Sequence, residues 1–188
     1  MTRIGIIVGS VAKSSINRKV ASVLPSLAAD HDVEFELLDI SALPIYDYEL
    51  DGGWPEPALE WKNAIESVDG IIIVTPEYSR SIPGALKNAL DWAARPWGQN
   101  SFTGKPVAIM GASISPVGTA MAQQHLRNIL AHFGAPTLGQ PETFFHFRAD
   151  AFGTDGSLQD EAQTTVLTTF VNAAIAHVEL HAKAGALV

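Results

Sequence analysis

The sequence predicts an α/β fold in which helices cover both faces of a doubly wound parallel sheet. Short apolar segments alternate along the chain with longer segments whose apolar residues recur at helical spacing. Most of the short segments are apolar throughout, which is typical of strands buried on both faces of a parallel sheet. Strands that alternate with helices in this way favour right-handed crossovers and a layered sandwich.

The individual elements follow from these patterns in chain order. The predicted strands cover 3–8, 33–37, 70–74 and 107–111, and a fifth lies within 137–146. The predicted helices cover 16–27, about 56–67, 83–92, 117–133 and 162 to about 181. Ser81 is the expected N-cap of the third helix, with Pro83 near its first position, and Gly134 with Pro136 ends the fourth. The sequence therefore predicts a five-stranded sheet and five helices.

The second strand indicates the order of the sheet. Residues 33–37 alternate between apolar and acidic side chains, so one face of this strand is wet and we place it at a sheet edge. An edge position fits the flavodoxin-like order 2-1-3-4-5, in which ligands bind between strands one and three. The loops that follow those strands, 9–17 and 75–83, are therefore expected to form a site. The long connection 40–55 is a candidate to fold over it.

Composition limits the kinds of partner and chemistry. The chain has 188 residues, which suits one domain over 1–188, and its net charge of -8 disfavours nucleic acid and anionic membranes as partners. It has no cysteine, which excludes disulfides, thiolate metal sites and thiol nucleophiles. Redox chemistry therefore requires a bound cofactor. The sequence shows neither a secretory signal nor an apolar run long enough to span a membrane, so a cytoplasmic location is expected.

The loop after the first strand has the composition of a phosphate site. It ends a strand and opens a helix, where free backbone N–H groups and the helix dipole attract an anion. It lacks the glycine spacing of triphosphate and dinucleotide loops, which favours a monophosphate such as that of FMN. The alternative is that Ser14 or Ser15 only caps the helix and that Lys13 is solvated. The candidate phosphate contacts are Gly9, Ser10, Lys13, Ser15, Ile16 and Asn17.

The loops after strands three and four carry candidates for binding a flat ring. Two prolines stiffen loop 75–83, and its backbone N–H groups near Tyr78 and Ser79 are expected to read the edge of a planar heterocycle. Glu77 is interpreted as a carboxylate that braces the loop, because hydride transfer to a flavin needs no protein acid or base. Loop 112–118 either completes the ring pocket or is a structural turn. The candidate ring contacts are Pro76, Glu77, Tyr78, Ser79, Ser81, Ser113 and Gly118.

Other aromatic and histidine residues are not assigned to the site. We expect Trp61, Trp92 and Trp97 to be core residues rather than flavin stackers. His177 and His181 have a spacing that suits a metal, but no third ligand accompanies them, so no metal is predicted. The Gly-x-Ser-x-Gly pattern does not occur, which disfavours a hydrolase. No side chain is predicted to be catalytic.

Three segments of the chain resemble the NAD(P)H-dependent FMN reductase family, which includes chromate-, quinone- and azo-reducing enzymes. The most specific segment is 76–92, Pro-Glu-Tyr-Ser-Arg-Ser-Ile-Pro-Gly-Ala-Leu-Lys-Asn-Ala-Leu-Asp-Trp. The other two are Gly9-Ser10 with Ser15 and Asn17, and the stretch from Gly118 to Arg127. The chain departs from the family pattern at Ala12, where arginine is common, and at Ser79, where asparagine is usual.

The resemblance implies an FMN-dependent oxidoreductase. Hydride passes from NADPH or NADH to FMN N5, and then to an acceptor such as a quinone, free flavin, an azo dye or a metal oxyanion. It also implies a homodimer, and a tetramer in some relatives. The alternative from a different class is a flavodoxin-type electron carrier without NAD(P)H oxidase activity. The sequence leaves open the physiological acceptor and the choice between NADH and NADPH.

Overall fold

The structure, a computed structural model, describes residues 1–185, and they form a parallel sheet of five strands in the order 2-1-3-4-5. The predicted fold class and strand order are confirmed. The strands are β1 (Thr2–Val8), β2 (Val33–Leu38), β3 (Gly70–Val74), β4 (Val107–Ser113) and β5 (Thr143–His146). The prediction of one domain over 1–188 includes residues outside the described part and stays a prediction.

Five α-helices cover the sheet. They are α1 (Ile16–Val23), α2 (Glu56–Glu66), α3 (Gly84–Ala93), α4 (Ala120–Phe133) and α5 (Glu161–Gly185). Helices α1 and α5 bury apolar residues against one face of the sheet, and α2, α3 and α4 do so against the other. Strand β3 is buried along its whole length because it lies in the middle of the sandwich.

Strand β2 lies at the sheet edge, as its alternating sequence predicts. Its exposed carboxylates Glu34 and Glu36 form ion pairs with Arg3 of β1. The register pairs Val8 with Val74 and Val74 with Met110, so β1, β3 and β4 end side by side. Their following loops therefore meet at one edge of the sheet, as expected for a site at a switch point.

Glycine permits the close approach of these loops at two positions. A Cβ atom on Gly111 would clash with the Thr119 hydroxyl and the Thr75 carbonyl. A Cβ atom on Gly9 would lie 2.9 Å from the Thr75 hydroxyl oxygen. Larger residues at these two glycines would push the loops apart.

Several predicted helix boundaries are wrong for identifiable reasons. Helix α1 ends at Val23, and the following turn is a 3-10 helix that contains Pro25, which lacks the N–H that an α-helix needs. Helix α3 starts at Gly84 with Pro83 in the N-cap position and no side-chain cap, so Ser81 is not its N-cap. Helix α4 starts at residue 120 because Gly118 adopts a left-handed φ of 64°.

The last helix extends to Gly185, beyond the predicted end near residue 181. No helix in the described part of the chain combines the length and apolar character that a membrane crossing requires.

Candidate cofactor site

The loop from Gly9 to Ser15 presents its backbone N–H groups at the start of α1. The N–H of Gly9 continues the sheet by donating to the Val74 carbonyl oxygen at 2.9 Å. Beyond it, several N–H groups have no acceptor within residues 1–185: those of Ser10, Val11, Lys13, Ser14, Ile16 and Asn17. Such a set, at the positive end of a helix, suits an anion with several oxygens.

Two serine hydroxyls of this loop already accept hydrogen bonds. Ser15 caps α1, because its Oγ accepts from the Arg18 N–H at 3.3 Å. Ser10 is buried, and its Oγ accepts from the Ala12 N–H at 3.3 Å. Since a hydroxyl donates one hydrogen bond while it accepts others, both side chains keep an O–H for a ligand. The capping role and the phosphate role of Ser15 are therefore compatible.

The side chain of Asn17 has a role that the sequence did not reveal. It is 1% exposed, donates from Nδ2 to the Ala112 carbonyl oxygen at 2.9 Å, and accepts at Oδ1 from the Ala112 N–H at 2.8 Å. This pair of bonds ties the start of α1 to the end of β4. Only the backbone N–H of Asn17 is therefore left for a ligand, because its amide group holds two loops of the site in register.

The loop after β3 contains a tight turn. Tyr78 and Ser81 exchange two backbone hydrogen bonds of 3.0 and 2.9 Å, and the central residues Ser79 and Arg80 have φ values of 50° and 66°. Positive φ at both central positions is the mark of a type I′ turn. The N–H of Tyr78 is used inside this turn and is not free for a ring, contrary to our expectation. In the described chain the N–H groups of Glu77, Ser79 and Arg80 are the ones left without acceptors.

Glu77 has the bracing role that we predicted. Its Oε2 accepts from the backbone N–H groups of Met121 and Ala122 at 2.9 and 3.2 Å, in the first turn of α4. The α4 N-cap residue, Thr119, provides no side-chain cap of its own. A carboxylate at this end of a helix also interacts favourably with the helix dipole. Glu77 therefore joins the turn after β3 to the helix after β4.

The loop after β4 lines the same edge of the sheet. Ser113 Oγ accepts from the Ser115 N–H at 3.0 Å, and Gly118 packs against Phe144 of β5. Two apolar side chains of this loop face solvent, Ile114 with 76% and Val117 with 51% of their surface exposed. Tyr78 is also half exposed. The loops at this edge of the sheet therefore combine unpaired N–H groups with an exposed apolar rim of Tyr78, Ile114 and Val117.

The connection 40–55 does not lie over this edge as a free lid, because α3 holds it. Asn88 accepts from the Tyr46 N–H at 2.8 Å and donates to the Pro44 carbonyl oxygen at 2.9 Å. Trp92, one turn further along α3, donates to the same carbonyl at 2.8 Å. Asn88 and Trp92 both belong to the segment that resembles the family, and their i, i+4 spacing was the available sign that they act together.

An ion pair fastens the far end of this connection. The Arg95 guanidinium donates to Asp51 and holds the pKa of that carboxyl below its ordinary value. Tyr46 also donates to Asp51, at 3.3 Å. Sequence inspection missed this cluster because its members are distant in the chain.

The tryptophan predictions are confirmed for two of three residues. Trp61 and Trp92 are buried in the core, whereas Trp97 is 83% exposed and is not a core residue. His177 and His181 stack edge to face at 4.5 Å. Ser81, which we expected to contact the ring, directs its hydroxyl to His125 at 3.0 Å.

The chain matches a known protein family over most of its length. Residues 2–150 match the model of the NADPH-dependent FMN reductase family. The chain belongs to that family. It is therefore an FMN-dependent oxidoreductase that uses NAD(P)H, and the resemblance seen in its sequence is confirmed.

Individual members of the family are similar over nearly the full length. A 2-hydroxy-1,4-benzoquinone reductase from a Burkholderia species is 43% identical over 170 residues, 90% of this chain and 92% of the relative. A quinone reductase from Pseudomonas putida is 34% identical over 95% of both chains. The structure of FerB, a flavoenzyme NAD(P)H:(acceptor) oxidoreductase from Paracoccus denitrificans, matches with a TM-score of 0.91 at 42% identity, covering 96% of this chain and 99% of that one.

A flavodoxin from Bacillus cereus matches with a TM-score of 0.60 at 15% identity, which shows a shared fold only. The three relatives at 34–43% identity are all named as enzymes, whereas the flavodoxin is 15% identical. This pattern supports a reductase over the electron-carrier alternative.

Proposed function

We propose that the NADPH-dependent FMN reductase described here binds FMN across the loops after β1 and β3 and passes hydride from NAD(P)H to a quinone. The observation that carries this proposal is the pair of adjacent loops whose backbone N–H groups lack acceptors in residues 1–185. One set lies at a helix start, where a phosphate suits it, and the other lies in a rigid turn, where the edge of a ring suits it. FMN has both groups.

The first loop would hold the phosphate through its backbone. The unpaired N–H groups of this loop lie at or just before the start of α1, and the hydroxyls of Ser10 and Ser15 each have a proton to donate. Lys13 supplies a positive charge nearby. Ala12 stands where the family pattern has arginine, so Lys13 offers a point charge in place of the bidentate contact of a guanidinium.

The second and third loops would hold the ring. When bound, FMN supplies the hydride chemistry. The N–H groups of Ser79 and Arg80 are fixed by the turn and are suited to stabilise negative charge at the ring edge without reorganising. Pro76 and Glu77 fix the path of the chain into this turn, and Ser113 and Gly118 close the pocket from the side of β4. Glu77 is occupied with α4 and therefore takes no part in proton transfer.

The acceptor that we propose is a quinone. Relatives at 43% and 34% identity carry the names of quinone reductases. A flat, largely apolar acceptor also suits the exposed apolar rim of Tyr78, Ile114 and Val117. NAD(P)H and the quinone would use the same open face of the ring in turn.

We further propose a homodimer. Met121, in the first turn of α4, adds to the apolar surface at this edge, and a second subunit would cover part of that surface and shield the ring. A dimeric mass in sedimentation at micromolar concentration is expected, and a monomer there would contradict it. A tetramer stays the alternative to the homodimer, and the cytoplasmic location stays a prediction.

Ser15 offers a sharp test of the phosphate assignment. Aspartate is as good an N-cap as serine, so Ser15→Asp keeps α1 capped but places a negative charge beside the phosphate. We expect Ser15→Asp to weaken FMN binding more than Ser15→Ala does, and Ser15→Ala to cost roughly 1–3 kcal/mol of FMN binding. FMN titrations followed by fluorescence measure both, with Ser26→Ala, distant from the loop, as the control. Equal affinity in all four proteins would contradict the assignment.

The reaction itself is tested by absorbance under anaerobic conditions. NADPH is expected to bleach the bound flavin rapidly, and 1,4-benzoquinone is expected to restore its colour. A flavin that stays oxidised in NADPH would contradict the reductase function.

A further inference from the structure

A groove with unpaired cations adjoins the proposed phosphate loop. It has a volume of about 390 Å³ and runs along the first two turns of α1, facing Phe147 after β5. We call it the basic groove, and its lining includes Lys13, Ser15 and Ile16, which are also candidate FMN phosphate contacts. The rest of its lining is Ser14, Arg18, Lys19, Ser22 and Phe147. Phe147 stacks on Phe152 at 5.2 Å, which gives the groove a firm aromatic wall.

The cations of this groove differ from most others in the protein. Across the described residues, Lys13, Arg18 and Lys19 form no ion pair, whereas arginines such as Arg3, Arg95 and Arg148 are paired with carboxylates. Lys19 only lies over the Phe152 ring, 4.8 Å from its centre. In a chain with a net charge of -8, unpaired cations gathered on α1 and the loop before it make a local site for an anion.

An apolar slot lies on the other side of Arg18. Its volume is about 230 Å³, and it lies between α1 and the edge strand β2. Its lining is largely apolar: Ile6, Ala21, Pro25, Phe35 and Leu37, with Ser22 and Arg18 at the rim. Arg18 and Ser22 line both cavities, so the slot and the basic groove meet at these two side chains.

We propose that the basic groove and the apolar slot together bind the adenosine 2′-phosphate half of NADPH. The slot suits the adenine ring, and Arg18 and Lys19 suit the 2′-phosphate and the pyrophosphate. Arginine is the residue best matched to a phosphate, because its fork of donors binds two oxygens at once. The groove begins at the loop that holds the FMN phosphate under the proposed function, on which this inference rests, so the nicotinamide half extends towards the flavin ring.

The inference predicts a preference for NADPH over NADH, because NADH lacks the 2′-phosphate. Changing Arg18→Gln is expected to raise the KM for NADPH about 10-fold or more, the loss typical of one hydrogen bond to a charged group. The KM for NADH is expected to change much less. Lys19→Gln is expected to act in the same direction. Lys87→Gln on α3 removes an exposed cation far from the groove and is the matched control.

A binding measurement decides the site without relying on the reaction. Adenosine 2′,5′-bisphosphate, titrated into the FMN-loaded protein by calorimetry, is expected to bind without displacing FMN. Arg18→Gln is expected to weaken this binding about 10-fold or more, and Leu37→Asn, at the exposed end of the slot, is expected to weaken it as well.

Two outcomes would overturn the inference. One is unchanged binding of the bisphosphate in both variants, and the other is displacement of FMN by the bisphosphate, which would mean that the groove belongs to the FMN phosphate. If the bisphosphate binds as expected but NADPH fails to reduce the flavin, the adenosine site stands and the proposed function fails.

Discussion

The turn at Ser79 and Arg80 carries backbone strain in the middle of the proposed ring site. Both residues have positive φ, which costs a residue with a Cβ atom about 1–2 kcal/mol relative to glycine. Asparagine, which the family pattern has in place of Ser79, tolerates this conformation better because its amide bonds to nearby backbone. The strained residues are also the ones whose N–H groups lack acceptors in the described chain. Strained backbone commonly occurs at functional sites.

We expect Arg80→Gly to stabilise the protein relative to Arg80→Ala by about 1 kcal/mol. Both changes remove the guanidinium and its 3.8 Å contact with Glu77, but only glycine adopts a φ of 66° without strain. Urea unfolding of the two variants measures the difference. Equal free energies of unfolding would mean that the turn is not strained at this residue.

At the scale of elements, α3 acts as a clamp on the connection 40–55. Asn88 and Trp92 direct polar atoms to one carbonyl, that of Pro44, and Asn88 also accepts from the Tyr46 N–H. Asn88 and Trp92, in the helical part of the segment 76–92, therefore position a neighbouring loop rather than the cofactor.

Asn88→Ala is expected to destabilise the protein by about 1–3 kcal/mol. The change leaves the partly buried Tyr46 N–H without its acceptor and the Pro44 carbonyl without one of its two donors. Trp92→Phe removes only one donor to Pro44 and tests the shared carbonyl separately. Thermal unfolding is the measurement for both. If Asn88→Ala unfolds at the same temperature as the parent protein, the clamp does not contribute to stability.

At the scale of the whole molecule, α5 introduces a dependence of stability on pH. Burial, with a smaller contribution from His181, lowers the pKa of His177 from the ordinary value of 6.5, although its Nε2 donates to the Pro136 carbonyl. The folded state therefore binds this proton less readily than the unfolded chain. The free energy of unfolding is expected to fall as the pH drops below about 6.5.

His177→Gln keeps a donor for Pro136 but removes the titration. We expect the stability of this variant to change less between pH 7.5 and 5.5 than that of the parent, as measured by urea unfolding at each pH. His132→Gln, at an exposed position of α4, is the control. Parallel pH profiles for the parent and His177→Gln would contradict the assignment.

Much of the fold was predictable because it depends on local pattern. The apolar run 70–74 is found as a central strand, and the alternation in 33–37 is found as an edge strand. The ends of helices were less predictable where the same residue type can either cap a helix or take part in a turn. Ser81 has the chemistry of an N-cap, but its backbone pairs with Tyr78, so the helix begins later.

The sequence by itself determined the order of the strands, the positions of the polar loops and the family, since hydrophobic periodicity and short motifs are properties of neighbouring residues. Only the tertiary structure decided which groups in those loops are free. Asn17 was a phosphate donor in the sequence and is bonded through its side chain to Ala112, far along the chain. The N–H of Tyr78 is used within its turn. The cations Arg18 and Lys19 on α1 form no ion pair in the described chain, unlike Arg148 after β5. A hydrogen bond between distant residues depends on how the layers pack, and no local pattern contains that information.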